Sequence, residues 1–336
     1  MFFVNGFIMG AWAPQIPLLL PRHGITESGL GLLILVLGVG AVGAMLFAGR
    51  LIAIYGARRM LTLFSLASVA VLPLVVLAPS LISVALAMAL MGAVAGCMDV
   101  SMNANAVEVE RGLGRAIMSS SHGFWSLGGF VGSALGGLAL ARYGAEVQAI
   151  GVGVVCLAVV AVAIRFLIGD GPGPARETGH RHAALLPRDL GLWLLGLMAF
   201  LSMIPEGAVL DWGAIYLGKD YGAGIAGASL AFALFSAAMA VMRFSGDAIR
   251  NKFGAVRTLR VSGLIGAAGL MMAALSGNRA MVDLLLKAGA DVTTRDTKGQ
   301  DASDWATTGK SAKLAAELKT LIAQQEDAKR ARRASP

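Results

Sequence analysis

The sequence predicts an all-α membrane protein, a polytopic helix bundle with a short helical tail. Of its 336 residues, 57% are hydrophobic and 14% are charged, whereas a soluble domain is typically about 25% charged. The charged residues are placed unevenly, because the last 60 residues hold 19 of the 48 and residues 1–276 hold 29. This shift separates an apolar membrane part from a water-soluble tail.

Apolar runs of about 20 residues, the length that crosses a bilayer as a helix, recur along the membrane part. Helices are expected because each satisfies its own backbone hydrogen bonds in lipid. Eight runs are predicted to span, at roughly 2–20, 30–49, 60–78, 81–105, 117–140, 146–168, 191–217 and 226–245. A ninth run, 259–276, has no charge from Val261 to Leu275, and we favour it as a ninth span.

The basic residues between the runs predict the orientation. With the N-terminus in the cytoplasm, inner loops and helix ends carry 14 Lys and Arg, and outer ones carry 3, namely Arg22, Arg142 and Lys219. Basic residues concentrate on the cytoplasmic side, so the N-terminus is expected there. The Gly- and Pro-rich stretch 169–190 then becomes a cytoplasmic linker between two halves. These loop charges explain the net charge of +8, and no nucleic-acid partner is expected.

A carboxylate stands inside the fourth apolar run, in "GCMDVSMNANAVEVE". Asp99 and Asn103 are four residues apart and share a helix face. An acid within a span costs about 2.5–3.5 kcal/mol, so it is expected to face a cavity or a partner. Burial favours the neutral carboxyl form, which makes Asp99 a candidate for proton uptake and release. The alternative is a structural pair that holds helix four to a neighbour.

Further candidates lie on helices one, five and seven. His122 and Trp125 share one face of helix five, where an imidazole that titrates near neutral pH would accompany a ring able to stack on a sugar; packing within the bundle is the alternative. Helix seven is predicted to be interrupted at Pro205 and Gly207, and its candidates are Glu206, Asp211 and Trp212. Helix one is predicted to be interrupted at Pro14 and Pro17, and its candidates are Asn5, Trp12 and Gln15.

Catalytic and cofactor motifs are not found in the sequence. It contains no nucleotide-binding loop, nucleophile triad or metal-ligand cluster. Cys97 and Cys156 lie in apolar surroundings and are interpreted as packing residues. We therefore expect neither enzymatic activity nor a cofactor or metal.

Two related segments resemble the loop motif of the major facilitator superfamily. In "GRLIAIYGARR", 49–59, Gly49, Gly56 and Arg58 match the motif, and Ala53 replaces its acid. The second copy, "RFSGDAIRNKFG", keeps an acid, and its candidate gating residues are Gly246, Asp247, Arg250 and Gly254. "GGFVGSALGG" in helix five resembles the glycine motif of exporting members, and its Gly128, Gly132 and Gly136 favour close helix contact.

Within that superfamily the chain resembles the fucose-permease-like branch and its YbjJ-type bacterial inner-membrane proteins. The segments that match are "NGFIMGAWAPQIP", "GCMDVSMNANAVEVERG", "IMSSSHGFWSLGG" and "EGAVLDWGAIYL", within about residues 1–265. Asp99 and Asn103 follow the fourth-helix pattern of fucose permease, whereas its first-helix aspartate has Gln15 as the nearest polar counterpart. The resemblance implies about six plus three helices here, with about three more in a complete transporter.

The tail from Gly269 onward resembles an ankyrin repeat. The residues that carry the resemblance include "SGN", "DLLL", "AGADV" and "DTKG", and "DASDWATTGKSAKLAAELKTLIAQQ" reads as a second unit. Stacks of this kind need at least three repeats to bury a continuous core. The first ankyrin helix overlaps the run 259–276, so a span and an ankyrin helix are both open there.

Together these observations predict a secondary transporter of a small polar solute that is truncated in its second half, with a sugar as solute class and a proton as coupling ion. It would lie in the bacterial inner membrane, in contact with the lipid bilayer. Two alternatives stay open: a membrane-anchored module that binds a protein partner through the ankyrin-like tail, or an inactive fusion product. The predicted parts are a six-helix half (1–168), a linker (169–190), a partial second half (191–268), ankyrin-like repeats (269–325) and a disordered charged end (326–336).

Overall fold

The computed structural model of the protein describes residues 1–169, 190–254, 257–258, 261, 282, 292–296, 298–309 and 311–334. Within these ranges the regular secondary structure is helical, without strands. The helices in chain order are α1 (Phe2–Trp12), α2 (Leu19–His23), α3 (Glu27–Tyr55), α4 (Ala57–Leu77), α5 (Leu81–Leu113), α6 (Met118–Tyr143), α7 (Ala145–Ala163), α8 (Leu190–Tyr221), α9 (Ile225–Phe253), α10 (Ala302–Thr308) and α11 (Ala312–Ala334).

Seven helical segments of the described chain are long and apolar enough to cross a membrane. They are Phe2–His23, Glu27–Tyr55, Ala57–Leu77, Leu81–Leu113, Met118–Tyr143, Ala145–Phe166 and Ile225–Ile249. They coincide with the first six predicted spans and the eighth. The predicted seventh span, 191–217, lies within α8, and the predicted ninth, 259–276, lies outside the described residues except for Val261.

Prolines affect two of the helices differently. As predicted, Pro14 and Pro17 interrupt the first span, where a 3-10 turn at Ala13–Leu18 separates α1 from α2. The predicted interruption at Pro205 and Gly207 is wrong, because α8 runs without a break from Leu190 to Tyr221. A proline removes one backbone donor, but a membrane helix can continue when its surroundings satisfy the freed carbonyl.

The chain forms two compact units. The first contains α1 to α7 with residues 208–248 of α8 and α9, and the second contains residues 190–207, the end of α9, α10 and α11. In the first unit α1 packs on α6, α3 packs on α5, and α4 packs on both α5 and α7. Its apolar core includes Trp12, Ile16, Met88 and Met98, each at most 1% exposed.

Glycines on α6 let this helix approach α1 closely. Gly128 and Gly132 lie against the backbone of Phe3 and Phe7, where an added Cβ atom would overlap a carbonyl oxygen of α1. Gly136 continues the row one turn further along. The three glycines predicted as a contact stripe therefore form the face of α6 that meets α1.

The outward face of α3 is apolar. Leu35, Val39 and Leu46 are 60%, 64% and 71% exposed. A contiguous apolar surface of this kind is stable when lipid tails cover it rather than water. The exposure pattern thus agrees with a helix at the lipid-facing side of the bundle.

The tail contains a helix pair with a core of its own. Buried residues of α10 and α11, among them Ala306 and Leu318, pack with Val282 and Val292. Asp296 accepts hydrogen bonds from the backbone N–H groups of Gln300 and Lys298 and from the indole of Trp305, and these bonds lower the pKa of its carboxyl group.

The predicted disorder of residues 326–336 stays a prediction. Helix α11 continues to Ala334. The segment "EDAKRARRA" consists of Glu, Ala, Lys and Arg, which have high helix propensity, together with a single Asp. The ankyrin-type assignment of 269–325 stays a prediction, since most of residues 262–291 lie outside the described ranges.

The close approach of α1 and α6 predicts the effect of one methyl group. Gly128→Ala should lower the stability of the protein by about 1–3 kcal/mol, because the new Cβ would overlap the carbonyl oxygen of Phe3. The matched control is Gly151→Ala on α7, where the added atom meets open space. Thermal unfolding of the purified variants in detergent gives the comparison. Equal melting temperatures would contradict the glycine contact.

Candidate functional site

A chain of hydrogen bonds joins the polar residues predicted on α5 and α6. Asn103 Nδ2 lies 2.9 Å from the backbone oxygen of Asp99 and 3.3 Å from its Oδ1. Asn103 Oδ1 lies 3.2 Å from Nε2 of His122. Because the amide nitrogen faces Asp99, the amide oxygen accepts a hydrogen bond that His122 Nε2 must donate. The predicted pair on α5 therefore meets the predicted histidine of α6.

A second contact joins α1 to α6. Trp125 Nε1 donates to Asn5 Oδ1 at 2.8 Å, and Asn5 is 7% exposed. One turn before Trp125, the ring of His122 meets the ring of Phe2 edge-on, with 5.1 Å between the centroids. Five predicted residues from three helices thus come together. We call them the polar cluster: Asn5, Asp99, Asn103, His122 and Trp125.

Arg243 of α9 borders this cluster, and the sequence reasoning missed it as a site residue. Its Nη1 lies 2.6 Å from Ser126 Oγ and 3.5 Å from the backbone oxygen of His122. Its guanidinium carbon lies 5.8 Å from the ring centroid of Trp125, within cation–π range. From the sequence alone, Arg243 is one of the 14 basic residues assigned to the inner loops and helix ends. Its position one turn before Asp247, on the same helix face, was the signal available.

Gln15 and Trp12 lie elsewhere in the first unit. Gln15 Nε2 donates to Gln148 Oε1 at 2.7 Å and to the backbone oxygen of Ala145 at 3.0 Å. Gln148 in turn donates to the backbone oxygen of Ala11 at 3.0 Å. Trp12 is 1% exposed and belongs to the apolar core. These contacts make Gln15 a link between the first span and α7, and they place Trp12 among packing residues.

Asp211 and Trp212 of α8 have no hydrogen bond to the polar cluster among the described residues of the first unit. Asp211 is half-buried there, and Trp212 is 38% exposed with its ring beside Gly31 of α3. Glu206 is half-buried and belongs to the second unit. The candidate site that the structure assembles is therefore built by α1, α5, α6 and α9.

Helices α6 and α9 are tied together by polar contacts at the end of the bundle where α6 begins. Asp247 Oδ2 accepts from the backbone N–H of Ser120 at 2.9 Å and from its hydroxyl at 2.7 Å. Ser119 Oγ donates to the backbone oxygen of Arg243 at 2.7 Å. Asp247 is 8% exposed. We call this contact the α6–α9 seam, formed by Ser119, Ser120, Ser126, Arg243 and Asp247.

The two copies of the loop motif share a backbone feature. Gly56 follows α3 with a φ of 87°, and Gly254 follows α9 with a φ of 80°. Both values lie in the left-handed region that glycine adopts without steric cost. Arg58 is exposed at the start of α4. The repeat inferred from the sequence thus corresponds to two helices that end in the same way.

The remaining motif glycines differ in their surroundings. Gly49 lies within α3, where an added Cβ atom would meet open space. Gly246 lies against the hydroxyl of Ser119, so it permits the close approach at the α6–α9 seam. Arg250 lies in the last turn of α9.

An ion pair lies at the opposite end of the bundle. Lys219 Nζ of α8 is 2.6 Å from Glu27 Oε1 of α3. The side chains are 66% and 48% exposed, and an exposed pair of this kind contributes about 0–1 kcal/mol. The described conformation therefore has polar contacts between the predicted halves at both ends.

The space beside the polar cluster is small. A cavity next to Asn5, lined also by Ser68 and Met91, has a volume of about 10 Å³, which is room for about one water molecule. A groove of about 760 Å³ is lined by Asn105 of α5 and Phe166 after α7, among mostly apolar residues. The described conformation is therefore closed to a solute beside Asn5.

The chemistry of the cluster suits reversible binding. It offers amide and imidazole hydrogen-bond groups, a carboxyl group and an indole face, and Arg243 adds a guanidinium group at its border. No group of three or more metal-ligating side chains occurs in the part of the chain that the structure describes. Such an arrangement can hold a polar molecule by hydrogen bonds and stacking.

Comparisons with known proteins agree with this fold. The family model described as Major Facilitator Superfamily matches residues 1–288. The chain is 33% identical over 279 residues to an uncharacterised transporter, y4wD, of Sinorhizobium fredii, covering 82% of this chain and 72% of the relative. It is 36% identical over 277 residues to an uncharacterised MFS-type transporter of Yersinia pestis, covering 81% and 70%.

Two further similarities come from a membrane protein and a solved structure. Membrane protein MosC of Rhizobium meliloti is 30% identical over 273 residues, covering 81% of this chain and 66% of MosC. The crystal structure of the nucleoside transporter NupG aligns with a TM-score of 0.57 at 11% identity, covering 97% of this chain and 80% of NupG. At that identity the likeness shows the fold alone.

The pairing of Gln15 with Gln148 predicts a purely structural role that a double-mutant cycle can isolate. Gln15→Met should cost about 1–3 kcal/mol, because it leaves the buried Gln148 oxygen without its donor. Adding Gln148→Met should restore part of that loss, since both polar groups are then removed. Unfolding in detergent measures each variant. Strictly additive losses would contradict the pairing.

Proposed function

Since the chain belongs to the Major Facilitator Superfamily and is a secondary membrane transporter, we propose that it carries a small polar solute bound at the polar cluster. The observation that supports this site most directly is the Asp99–Asn103–His122 chain, which joins two membrane helices through polar side chains. Polar groups within spans are costly and mark solute or ion pathways. The cluster also lies next to the α6–α9 seam, which has to change when a transporter opens.

A sugar-like solute suits the groups present. Asn5 and Asn103 have amides that can exchange their present partners for hydroxyl groups, and the flat ring of Trp125 can stack on a sugar ring. The resemblance of the surrounding segments to the fucose-permease-like branch supports the same solute class.

We also propose that Asp99 carries a coupling proton. It is the carboxyl group of the polar cluster, and its side chain receives a hydrogen bond from Asn103. Loss or gain of a proton on Asp99 changes how strongly its carboxyl group accepts the hydrogen bond from Asn103. Asn103 in turn contacts His122 directly. A proton on Asp99 is thereby linked to the helix that forms the seam.

Asp247 is proposed as the inner gating residue. Its carboxylate holds the first turn of α6 through both the backbone and the hydroxyl of Ser120. Hydrogen bonds to a charged group contribute about 1.5–3 kcal/mol, and a carboxylate at a helix N-terminus also complements the helix dipole. Breaking this contact would separate α6 from α9 at that end and expose the polar cluster.

The proposed location is a bacterial inner membrane with the N-terminus in the cytoplasm. The charge asymmetry of the loops supports this orientation. With this orientation the α6–α9 seam lies towards the cytoplasm, and the Glu27–Lys219 pair lies towards the outside.

A protein-binding role for the tail is a second proposal. The packed core between α10 and α11 supports it, because the tail buries its own apolar side chains. The family match runs to residue 288, past Gly269 where the ankyrin resemblance begins, and this favours a membrane segment at 259–276. Binding of a protein partner by the tail would then add to transport rather than replace it.

Counterflow in proteoliposomes tests the transport site. Vesicles that contain the full chain are loaded with unlabelled solute and diluted into labelled solute, with hexoses, hexuronates, nucleosides and amino acids as probes. We expect at least one probe to accumulate transiently, and Asn103→Ala to reduce its initial rate by about tenfold or more, because one or two hydrogen bonds are lost. Asn105→Ala is the matched control, since Asn105 donates to Ile168 and lies away from the cluster.

Equal counterflow rates in Asn103→Ala and the unchanged protein would refute the proposed site. Absence of counterflow for every probe would argue against transport by this chain. Elution as a single symmetrical peak and an unchanged melting temperature confirm that each variant is folded.

Asp99→Asn separates proton coupling from solute binding. The amide keeps the size and hydrogen-bonding capacity of the side chain but cannot be ionised, so accumulation driven by an imposed proton gradient should disappear while counterflow persists. Glu108→Gln is the control, because Glu108 forms an exposed pair with Arg111 at the end of the same helix. Gradient-driven accumulation that survives in Asp99→Asn rules out the proposed coupling role.

A further inference from the structure

Asp211 of α8 is a carboxyl group that has no hydrogen-bond or ion-pair partner among the residues that the structure describes. Its side chain is half-buried within the predicted seventh span. The carboxyl groups of Asp99 and Asp247 differ in this respect, because they accept hydrogen bonds from Asn103 and Ser120. An unpaired carboxylate inside a span is costly, so such a residue marks a place where a ligand or a proton neutralises it.

Three apolar elements surround this part of α8. Leu210 packs with Ala13 of the 3-10 turn and with Phe232 of α9 in a small buried cluster. On the next face, the ring of Trp212 lies beside Gly31 of α3. Residue 211 stands between these two contacts in the sequence, and no charged side chain belongs to either of them. The carboxyl group is therefore set among apolar packing contacts.

The charged and titratable residues of these elements lie away from Asp211. Stretches without a charged or titratable side chain run through the first span, α3 and α9, at 2–21, 28–49 and 225–242. On α8 the nearest titratable residues are Glu206 and Tyr216, each five residues away, and Glu206 belongs to the second unit. Lys219 lies eight residues away, about 12 Å along the helix, and is paired with Glu27. Within the described elements, no basic side chain is therefore placed to neutralise Asp211.

A small cavity begins one turn further along the same face of α8. Ala214 and Gly218, three and seven residues after Asp211, line this cavity of about 100 Å³, and both spacings keep residues on one helix face. Pro17 of the first span and Ala223 after α8 also line it. Its volume is room for a few water molecules. The cavity lies towards the end of the bundle where α8 ends, so it offers water a path from that end towards Asp211.

We propose that Asp211 is a second proton-binding site of the transporter, which holds a proton in this closed conformation and exchanges it with water at the end of the bundle where α8 ends. The inference rests on the proposed transport function. Opening at that end admits water through the cavity beside Gly218, and the carboxylic acid then releases its proton to water as a hydronium ion. The carboxylate takes up a proton again before the bundle closes. Asp99 serves the polar cluster, whereas Asp211 lies towards the opposite end, so the two acids allow proton exchange at both ends.

Carbodiimide labelling of the purified full chain tests for this proton without a measurement of transport. Dicyclohexylcarbodiimide is an apolar reagent that modifies carboxyl groups when they hold a proton in apolar surroundings. It should modify Asp211 near neutral pH, as located by peptide mass spectrometry, and the modified fraction should fall as the pH is raised. Asp220, an exposed acid in the last turn of α8, is the internal control and should stay unmodified.

Three variants test the role of this proton in transport. In proteoliposomes, Asp211→Asn should abolish accumulation driven by an imposed proton gradient, and Asp220→Asn, the matched control on the same helix, should leave it unchanged. Gly218→Leu fills the cavity, so it should slow that accumulation while Asp211 can still be modified near neutral pH. Labelling of the unchanged protein decides the matter if Asp211→Asn fails to fold.

Several outcomes would overturn the inference. They are an Asp211 that the reagent leaves unmodified near neutral pH, a modified fraction that does not change with pH, and full gradient-driven accumulation in Asp211→Asn. Equal accumulation rates in Gly218→Leu and the unchanged protein would contradict the route through the cavity. Failure of counterflow for every probe contradicts the transport function instead, and the labelling result then still measures the proton on Asp211.

Discussion

The structure depends on the close approach of α6 to the helices on its two sides. Gly128 and Gly132 bring its backbone against α1, and Gly129 and Gly137 bring it against Ser236 and Ser229 of α9. Without these small residues the helices would stand further apart, and the short hydrogen bonds of α6 could not form. Trp125 reaches Asn5 on one side, and Ser120 reaches Asp247 on the other, because the backbone positions allow it. Helix α6 is thus shared between the candidate binding site and the proposed gate.

The polar groups between these helices are costly in lipid, and their arrangement explains how the cost is offset. Asp99, Asn103 and His122 satisfy one another in sequence, and Arg243 is held by Ser126 and the Trp125 ring. Hydrogen bonds between buried polar groups stabilise such a network when the helices are together. In the proposed transport cycle, the same groups are offered to a solute when the helices separate.

Much of this arrangement follows from local sequence patterns. Residues on one helix face, such as Asp99 with Asn103 or His122 with Trp125, are fixed by the helical repeat, and the hydropathy pattern locates the spans. Partners that come from distant parts of the chain are different. Gln15 pairs with Gln148, 133 residues away, and Asp247 with Ser120, 127 residues away. No local pattern encodes these pairs. Local patterns alone likewise assigned Arg243 to a helix end and Pro205 to a helix break, because they do not show which distant parts of the chain pack beside a residue.

The central claim is that the contact between Asp247 and Ser120 keeps the bundle closed at one end. Distances between spin labels at Arg115 and Ala248, measured by pulsed electron paramagnetic resonance in a variant without Cys97 and Cys156, test it most directly. Asp247→Ala should add a population of longer distances there, while labels at Ser28 and Asp220 at the opposite end keep their distance distribution. An unchanged distribution between 115 and 248, or equal lengthening at both ends, would contradict the account.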